Sequence, residues 1–412
     1  MDIQIPELLA PAGNFDKLVT AIHYGADAVY LGGPKYSLRA RAGNFDDAGM
    51  RRAVEYAHGR GVKVYITVNI FAHNRDLEGL ERYLEFLRQA GADGLIIADP
   101  GIFHVARQVV PELSLHLSTQ ANVTNVASAQ FWQQQGAARL NLARELGLEE
   151  IRRVRQGTDV ELEVFVHGAL CISYSGRCML SNYFTGRDAN QGDCAHPCRY
   201  SYKLVEEKRP GQYFPVEEDE RGTYIFNSRD LCLLQRVPEL IAAGTNSIKI
   251  EGRMKSVGYV GSVVRLYRAA LDWIQLQIFS GADCEKLLLP NTFAKEMKKI
   301  GTRGQTENFF DAHPSTEAML YDTIRTTQGY APAGIVTGID PLIIDVRNPI
   351  ECGDNLEYLC PDIEPETCTV VSMETEDRRP VERANPGNRI LLKINPTPND
   401  LTIHSLFRRY ME

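Results

Sequence analysis

Between residue 7 and about residue 273 the chain repeats one grammar: a short apolar strand, a turn, an amphipathic helical stretch and a glycine stop. The pattern predicts strands at Glu7–Ala10, Ala28–Leu31, Lys63–Val68, Gly94–Ala98, Ser114–Leu117, Arg139–Ala143, Glu161–Val166 and Ser247–Ile250. Apolar residues at helical spacing predict helices over Asp47–His58, Leu77–Ala90, Ile102–Val110, Val126–Gln135, Leu231–Ala242 and Val257–Trp273. The stops recur as Tyr24-Gly25-Ala26-Asp27, Ala90-Gly91-Ala92-Asp93, Gln135-Gly136-Ala137 and Ala243-Gly244. A left-handed glycine there ends each helix and aims the chain into the next strand. Eight β-then-α units in series predict an α/β fold of the (β/α)8 TIM type, spanning residues 1–275.

Two regions depart from this grammar. After the seventh strand a cysteine-rich insertion begins, followed by a charged run through Val205–Arg221 that reads as solvated. Residues 276–316 read as a helical or irregular connector. From about residue 317 to 412 short strands alternate with Pro, Gly, Asn and Asp, at Gly334–Gly338, Leu342–Val346, Asn355–Leu359, Thr367–Val371 and Asn388–Ile394. That spacing predicts a small all-β barrel.

The chain has 412 residues, of which 44% are hydrophobic, enough for a large core. No apolar run approaches the roughly 18 residues that span a bilayer, so no membrane association is expected. The opening Met1-Asp2-Ile3-Gln4-Ile5-Pro6 has neither a basic nor an apolar leader segment, which predicts a cytoplasmic protein. A net charge of −8 argues against non-specific coating of nucleic acid, while leaving room for a local basic face. Lys295–Arg303, Arg378-Arg379 and Arg408-Arg409 are the stretches expected to supply one, with the C-terminal module as the RNA reader. His-Glu-x-x-His, Gly-x-Ser-x-Gly and P-loop motifs are absent from the sequence.

Four of the nine cysteines fall in one polar stretch, at Cys171, Cys178, Cys194 and Cys198. The gaps between them are six, fifteen and three residues, and only the last pair is tight. A zinc ribbon shows two tight pairs. Four soft thiolates in a loop suit an iron–sulfur cluster, with an all-cysteine zinc site as the alternative. Cys232 is the spare cysteine placed to reach the same region.

In a barrel of this type chemistry sits where the strands end. The residues expected there include Glu7, Asn69 and His167 as catalytic candidates. Arg39, Arg144, Arg253, Gln120 and Asn122 are the candidates for holding substrate. Converging guanidinium groups match the oxygens of a carboxylate or phosphate.

The run Glu163-Val-Phe-Val-His-Gly-Ala-Leu-Cys171-Ile-Ser-Tyr-Ser-Gly-Arg-Cys178-Met-Leu-Ser181 resembles the signature of the collagenase-like peptidase family U-32. Glu7-Leu-Leu-Ala-Pro-Ala-Gly13, Gly25-Ala-Asp-Ala-Val-Tyr30 and Ile248-Lys-Ile-Glu-Gly-Arg253 resemble its other hallmarks. With its C-terminal β module the chain looks most like the members implicated in tRNA hydroxylation. The resemblance implies an RNA hydroxylase that makes 5-hydroxyuridine at the tRNA wobble position with a prephenate-like oxygen donor. It also implies a [4Fe–4S] cluster on Cys171, Cys178, Cys194 and Cys198, with Cys232 as an alternative fourth ligand, and an electron donor as a possible partner. A metal-dependent peptidase and a cluster-bearing electron-transfer scaffold stand as the alternatives.

Overall fold

A computed structural model of the chain describes residues 3–38, 44–170, 181, 185, 187, 195, 204–205, 213–214, 217–219, 222–224, 227–301, 304–311, 319–320 and 329–411. Eight parallel strands follow one another around a ring: β1 (Glu7–Pro11), β2 (Ala28–Gly32), β3 (Lys63–Val68), β4 (Gly94–Ile97), β5 (Ser114–Leu117), β6 (Arg139–Asn141), β7 (Glu161–Gly168) and β8 (Ser247–Ile250). β8 pairs with both β1 and β7, aligning Ser247 with Glu7 on one side and with Glu163 on the other, so the sheet closes into the expected barrel. The helices α1 (Phe15–His23), α2 (Asp47–His58), α3 (Leu80–Gln89), α4 (Pro100–Val109), α5 (Val126–Gln134), α6 (Leu148–Gly157), α7 (Val237–Ala242) and α8 (Val257–Phe279) connect or follow these strands.

Strand residues alternate between two cores. Leu8, Val29, Val64 and Leu95 face the helices and join the main apolar cluster, whereas Leu9, Tyr30, Tyr65 and Ile96 fill the barrel interior. The helices dock by one stripe, as in α3, where Leu80, Leu84 and Leu87 are buried. Helix starts are set by side-chain caps. Asn14, Asp46, Asp99, Asn125 and Ser256 each accept the main-chain N–H three residues on, an interaction worth about 1 kcal/mol apiece. Helix ends are set by Gly25, Gly91, Gly136 and Gly244, whose φ values of 81–89° lie in the region that favours glycine.

Two predicted helices differ most in their bounds. Leu231–Ala242 does not begin as a helix: Asp230–Cys232 is a short strand, antiparallel to the end of β7 and parallel to Gln305–Thr306. Strand pairing there overrides the helical spacing, and the helix starts only at Val237, with Pro238 in its first turn. α8 continues past Trp273 to Phe279, because no breaker precedes Ser280-Gly281. The connector contains a further helix, α9 (Asn291–Lys298).

The C-terminal module is a closed antiparallel barrel. Its strands β9 (Tyr330–Ile339), β10 (Leu342–Val346), β11 (Asn355–Leu359), β12 (Glu366–Thr375), β13 (Arg389–Asn395) and β14 (Leu406–Tyr410) run in the order β11-β14-β9-β10-β13-β12, with β12 returning to β11. The two barrels share a polar seam. Tyr24 donates to Leu359 O (3.0 Å) and accepts from Leu406 N (2.9 Å). Buried Arg265 donates to the carbonyls of Cys360, Asp362 and Ile363.

The seam withdraws Arg408 from the expected basic face. Arg408 is buried and bound to Glu296 and Glu357, both at 2.6 Å, and Lys299 is bound to the same two carboxylates. Arg409 pairs with Asp354, Arg378 with Glu374 and Arg379 with Asp377. Lys295 and Lys298 are exposed, and Arg303 lies outside the described residues. A cleft of about 370 Å³ opens along the seam, but its cations Lys255, Lys299 and Arg408 are all neutralised by carboxylates. Among the described residues no helix is long and apolar enough to cross a membrane.

Candidate active site

At the C-terminal end of the barrel β3 runs into Asn69, and β5 runs into a single 3-10 turn, Thr119–Ala121, flanked by Ser118 and Asn122. The chain folds back there through Asn122, whose φ of 54° is uncommon for a residue with a side chain. The turn brings three of the predicted residues together. Asn69 Oδ1 accepts from Leu38 N (3.1 Å), and Asn69 Nδ2 donates to Gln120 Oε1 (2.8 Å). The same Oε1 accepts from Ser118 Oγ (3.1 Å), and Asn122 Nδ2 donates to the main-chain oxygen of Gln120 (2.9 Å). Gln120 Nε2 and Asn122 Oδ1 are buried and have no partner among the described residues.

Across the mouth Arg144 lies over the Phe165 ring at 3.8 Å and faces Glu251 at 3.6 Å. Glu145, next in sequence, keeps a buried Oε2 without a partner among the described residues, and burial raises its carboxyl pKa. Arg253 is buried instead of open to the mouth. Its guanidinium donates to Ser37 Oγ (2.9 Å), Leu38 O (3.0 Å), Thr67 Oγ1 (3.4 Å) and Asn44 Oδ1 (2.8 Å). Leu38 is thus held by its N–H on Asn69 and by its carbonyl on Arg253. Gly32 makes this clamp possible, since a Cβ there would come within 2.8 Å of Arg253 Nη2 and closer still to Ser37 and Thr67. Arg39 lies outside the described residues.

His167 ends the inward face of β7 and is buried. Tyr267 donates its hydroxyl proton to Val166 O (2.8 Å), which leaves the tyrosine oxygen to accept from His167 Nδ1 at 3.5 Å. The lone pair then falls on Nε2, which has no partner among the described residues. Burial lowers the imidazole pKa to about 4, Asp230 opposes this and Lys255 adds to it, so the ring is a neutral base at ordinary pH. Asp230 is itself fully buried and paired with Lys255 at 3.3 Å. Cys232 sits in register with His167, and burial pushes its thiol up to about 11.

Cys171, Cys178, Cys194 and Cys198 lie outside the described residues. Two neighbours in sequence are described: Ala195, between Cys194 and Cys198, donates its N–H to Ser181 Oγ at 2.8 Å. Among the described residues no group of three or more His, Cys, Asp or Glu side chains is arranged to hold a metal ion.

Glu7 does not belong to the mouth. It is the first residue of β1, at the opposite end of the barrel, where it binds Arg139 (2.6 Å), Tyr65 (2.8 Å) and Lys63 (3.8 Å). All four belong to the N-terminal halves of their strands, so a strand's opening residue cannot share a rim with its neighbours' closing residues. Arg139 continues inward to Glu163 (3.4 Å), which binds Lys249 (2.8 Å), Ser247 (3.1 Å) and Asn141 (2.9 Å). Burial opposes ionisation of Glu163, but Lys249 and Arg139 outweigh it and hold the pKa below the usual carboxylate range.

The chain matches the family model for peptidase family U32 over residues 13–320 and that for the U32 C-terminal domain over residues 328–408. The protein belongs to peptidase family U32. Among its relatives is the tRNA hydroxylation protein P1 of Bacillus subtilis, 39% identical over 92% of this chain and 89% of that one. The tRNA hydroxylation protein P of Escherichia coli is 38% identical over 86% of each chain. A 23S rRNA 5-hydroxycytidine synthase of Escherichia coli is 36% identical over 86% of this chain and 52% of its own.

In this U32 protein the structure gathers Asn69, Gln120 and Asn122 into one cluster, places Arg144 and His167 at the same end of the barrel, and assigns Arg253 to holding a loop. Sequence reasoning missed Asn141 and the Glu163–Lys249 pair. Period-two alternation was the available signal, since Glu161, Glu163, Ser247 and Lys249 fall on the inward phase of strands whose outward residues are apolar.

Proposed function

We propose that this U32 protein hydroxylates an RNA base, converting the wobble uridine of tRNA to 5-hydroxyuridine. The observation that carries this reading is near-full-length similarity to relatives named for tRNA hydroxylation, across both barrels. Replacing a base C–H by C–OH removes two electrons from the base, so the oxygen source must be reduced or an acceptor must be supplied. A prephenate-like dicarboxylate is the proposed donor, with Arg144 and Arg39 the arginines assigned to its carboxylates. Arg253 is already engaged by protein acceptors.

A [4Fe–4S] cluster on Cys171, Cys178, Cys194 and Cys198 fits the donor chemistry of the sequence. The Ser181–Ala195 hydrogen bond is consistent with the two halves of that segment lying together. When bound, such a cluster, with a thiolate on each iron, would supply electron transfer. The chain's own groups do the rest: Asn69 and Gln120 position the base, and His167 Nε2 takes up a proton.

The peptidase alternative gains no support from the described side chains. Their one Ser–His hydrogen bond, Ser114 to His116 at 3.0 Å, lies on β5 inside the barrel, with the imidazole edge-on to Tyr65. Nucleoside mass spectrometry of tRNA from a deletion strain, with and without the gene restored, tests the proposal. Loss and recovery of 5-hydroxyuridine is expected. An unchanged nucleoside profile would reject it.

A further inference from the structure

The carboxamides at the barrel mouth are locked in orientation, and the lock leaves one donor and one acceptor facing no protein group. Leu38 N–H can only donate, so it fixes the oxygen of Asn69 toward itself and turns the Asn69 amide toward Gln120. Gln120 must then present its oxygen to Asn69, and Ser118 Oγ binds that same oxygen. Gln120 Nε2 is therefore turned the other way, in a side chain only 4% exposed. The main-chain oxygen of Gln120 can only accept, so it fixes the amide of Asn122 and turns Asn122 Oδ1 outward from the pair. Neither Gln120 Nε2 nor Asn122 Oδ1 has a partner among the described residues. Buried polar atoms without a partner are costly, and two of opposite polarity on one turn at a barrel mouth mark a place for a complementary ligand.

We infer that Gln120 and Asn122 read the lactam edge of uracil. A ring carbonyl accepts from Gln120 Nε2, and the ring imide N–H beside it donates to Asn122 Oδ1. This rests on the RNA-base reading above and deepens it by assigning the residues that select the base. Uracil carries its imide N–H between two carbonyls, so a donor beside an acceptor is matched on either flank. Methylation of that ring nitrogen removes the donor and fills the space that Asn122 Oδ1 would occupy. The left-handed backbone of Asn122 fits such a role, because strained conformations persist where the site needs a side chain held in one place.

The test is calorimetric titration of the full-length protein with uridine monophosphate and 3-methyluridine monophosphate. Saturable binding of uridine monophosphate is expected, with the methylated nucleotide at least about tenfold weaker, the scale set by one unpaired buried hydrogen-bonding group. Gln120→Glu keeps the oxygen that Asn69 and Ser118 require but replaces the free donor with an acceptor. It should weaken uridine monophosphate by at least about tenfold. The methylated ligand probes the same contact without altering the protein. Equal affinity for uridine and 3-methyluridine monophosphates, or no saturable binding of uridine monophosphate, would overturn the inference. Discrimination in the absence of any hydroxylated nucleoside in vivo would remove the hydroxylation reading and leave this one standing; hydroxylation without discrimination would do the reverse.

Discussion

Glu163→Gln should be among the most damaging isosteric substitutions in the barrel. The carboxylate is 1% exposed, and its nearest cation, Lys249, is 2% exposed, so neither has water to fall back on. At the observed 2.8 Å the pair's attraction is about 6 kcal/mol for an effective dielectric constant of about 20. Glutamine keeps an oxygen for Lys249, which returns part of that. Arg139 retains Glu7 at 2.6 Å and Glu161 at 2.7 Å, so its loss is small. The net cost is about 3–4 kcal/mol, in line with breaking a buried ion pair from one side. Guanidinium unfolding of the full-length protein, followed by far-ultraviolet circular dichroism, measures it. The double variant Glu163→Gln with Lys249→Met removes the stranded cation and should recover most of the loss, since a neutral pair of similar volume carries no desolvation cost. A single variant within about 1 kcal/mol of wild type, or a double variant no better than the single, would refute the view that this pair is dry.

Three further outcomes follow from the same geometry. His116 is lowered to about 3 and His167 to about 4, each chiefly by burial, against about 6.5 in the unfolded chain. The unfolded state therefore binds more protons between pH 6.5 and 4, so stability should be full above about pH 6.5 and fall as the pH drops through that window. A flat pH profile of the unfolding midpoint there would contradict the buried neutral imidazoles. Arg265→Ala removes a buried side chain that binds the carbonyls of Cys360, Asp362 and Ile363, and it should split calorimetric unfolding into two transitions as the barrels uncouple; one cooperative transition near the wild-type midpoint would show that the seam does not depend on it. Cys178→Ala and Cys198→Ala should abolish iron and sulfide content in anaerobically purified protein, whereas Cys232→Ala should keep both, because Cys232 is held in the short strand that pairs with the end of β7; the opposite pattern would make Cys232 the fourth ligand.

Much of the fold was legible because it rests on local signals. A short apolar strand recurs eight times, glycine stops end four of the helices, and α2 spans Asp47–His58 as its spacing predicts. What escaped depends on partners distant in sequence. β14 carries Arg408-Arg409, which reads as solvated until Glu296 and Glu357 cover Arg408. The same pairing takes Arg408 out of the predicted basic face. Asp230–Cys232 reads as the start of a helix until β7 and Gln305–Thr306 pair with it. At the mouth, Asn69, Gln120 and Asn122 were recognisable as polar residues just past strand ends, where a barrel exposes them. Glu7 stands at a strand's beginning and so belongs to the other end. Arg253 does follow a strand, but Ser37, Asn44 and Thr67 take its guanidinium, and nothing in the local sequence announces that.

The most direct test of the account is hydroxylation by the isolated protein. Full-length protein purified without oxygen would be incubated with an unmodified tRNA transcript and prephenate, and the digested nucleosides analysed by mass spectrometry. The account predicts uridine at the wobble position gaining one oxygen atom, with none gained when prephenate is omitted or when Cys178→Ala protein is used. Cluster-loaded wild-type protein that binds the transcript and leaves every uridine unmodified would contradict it.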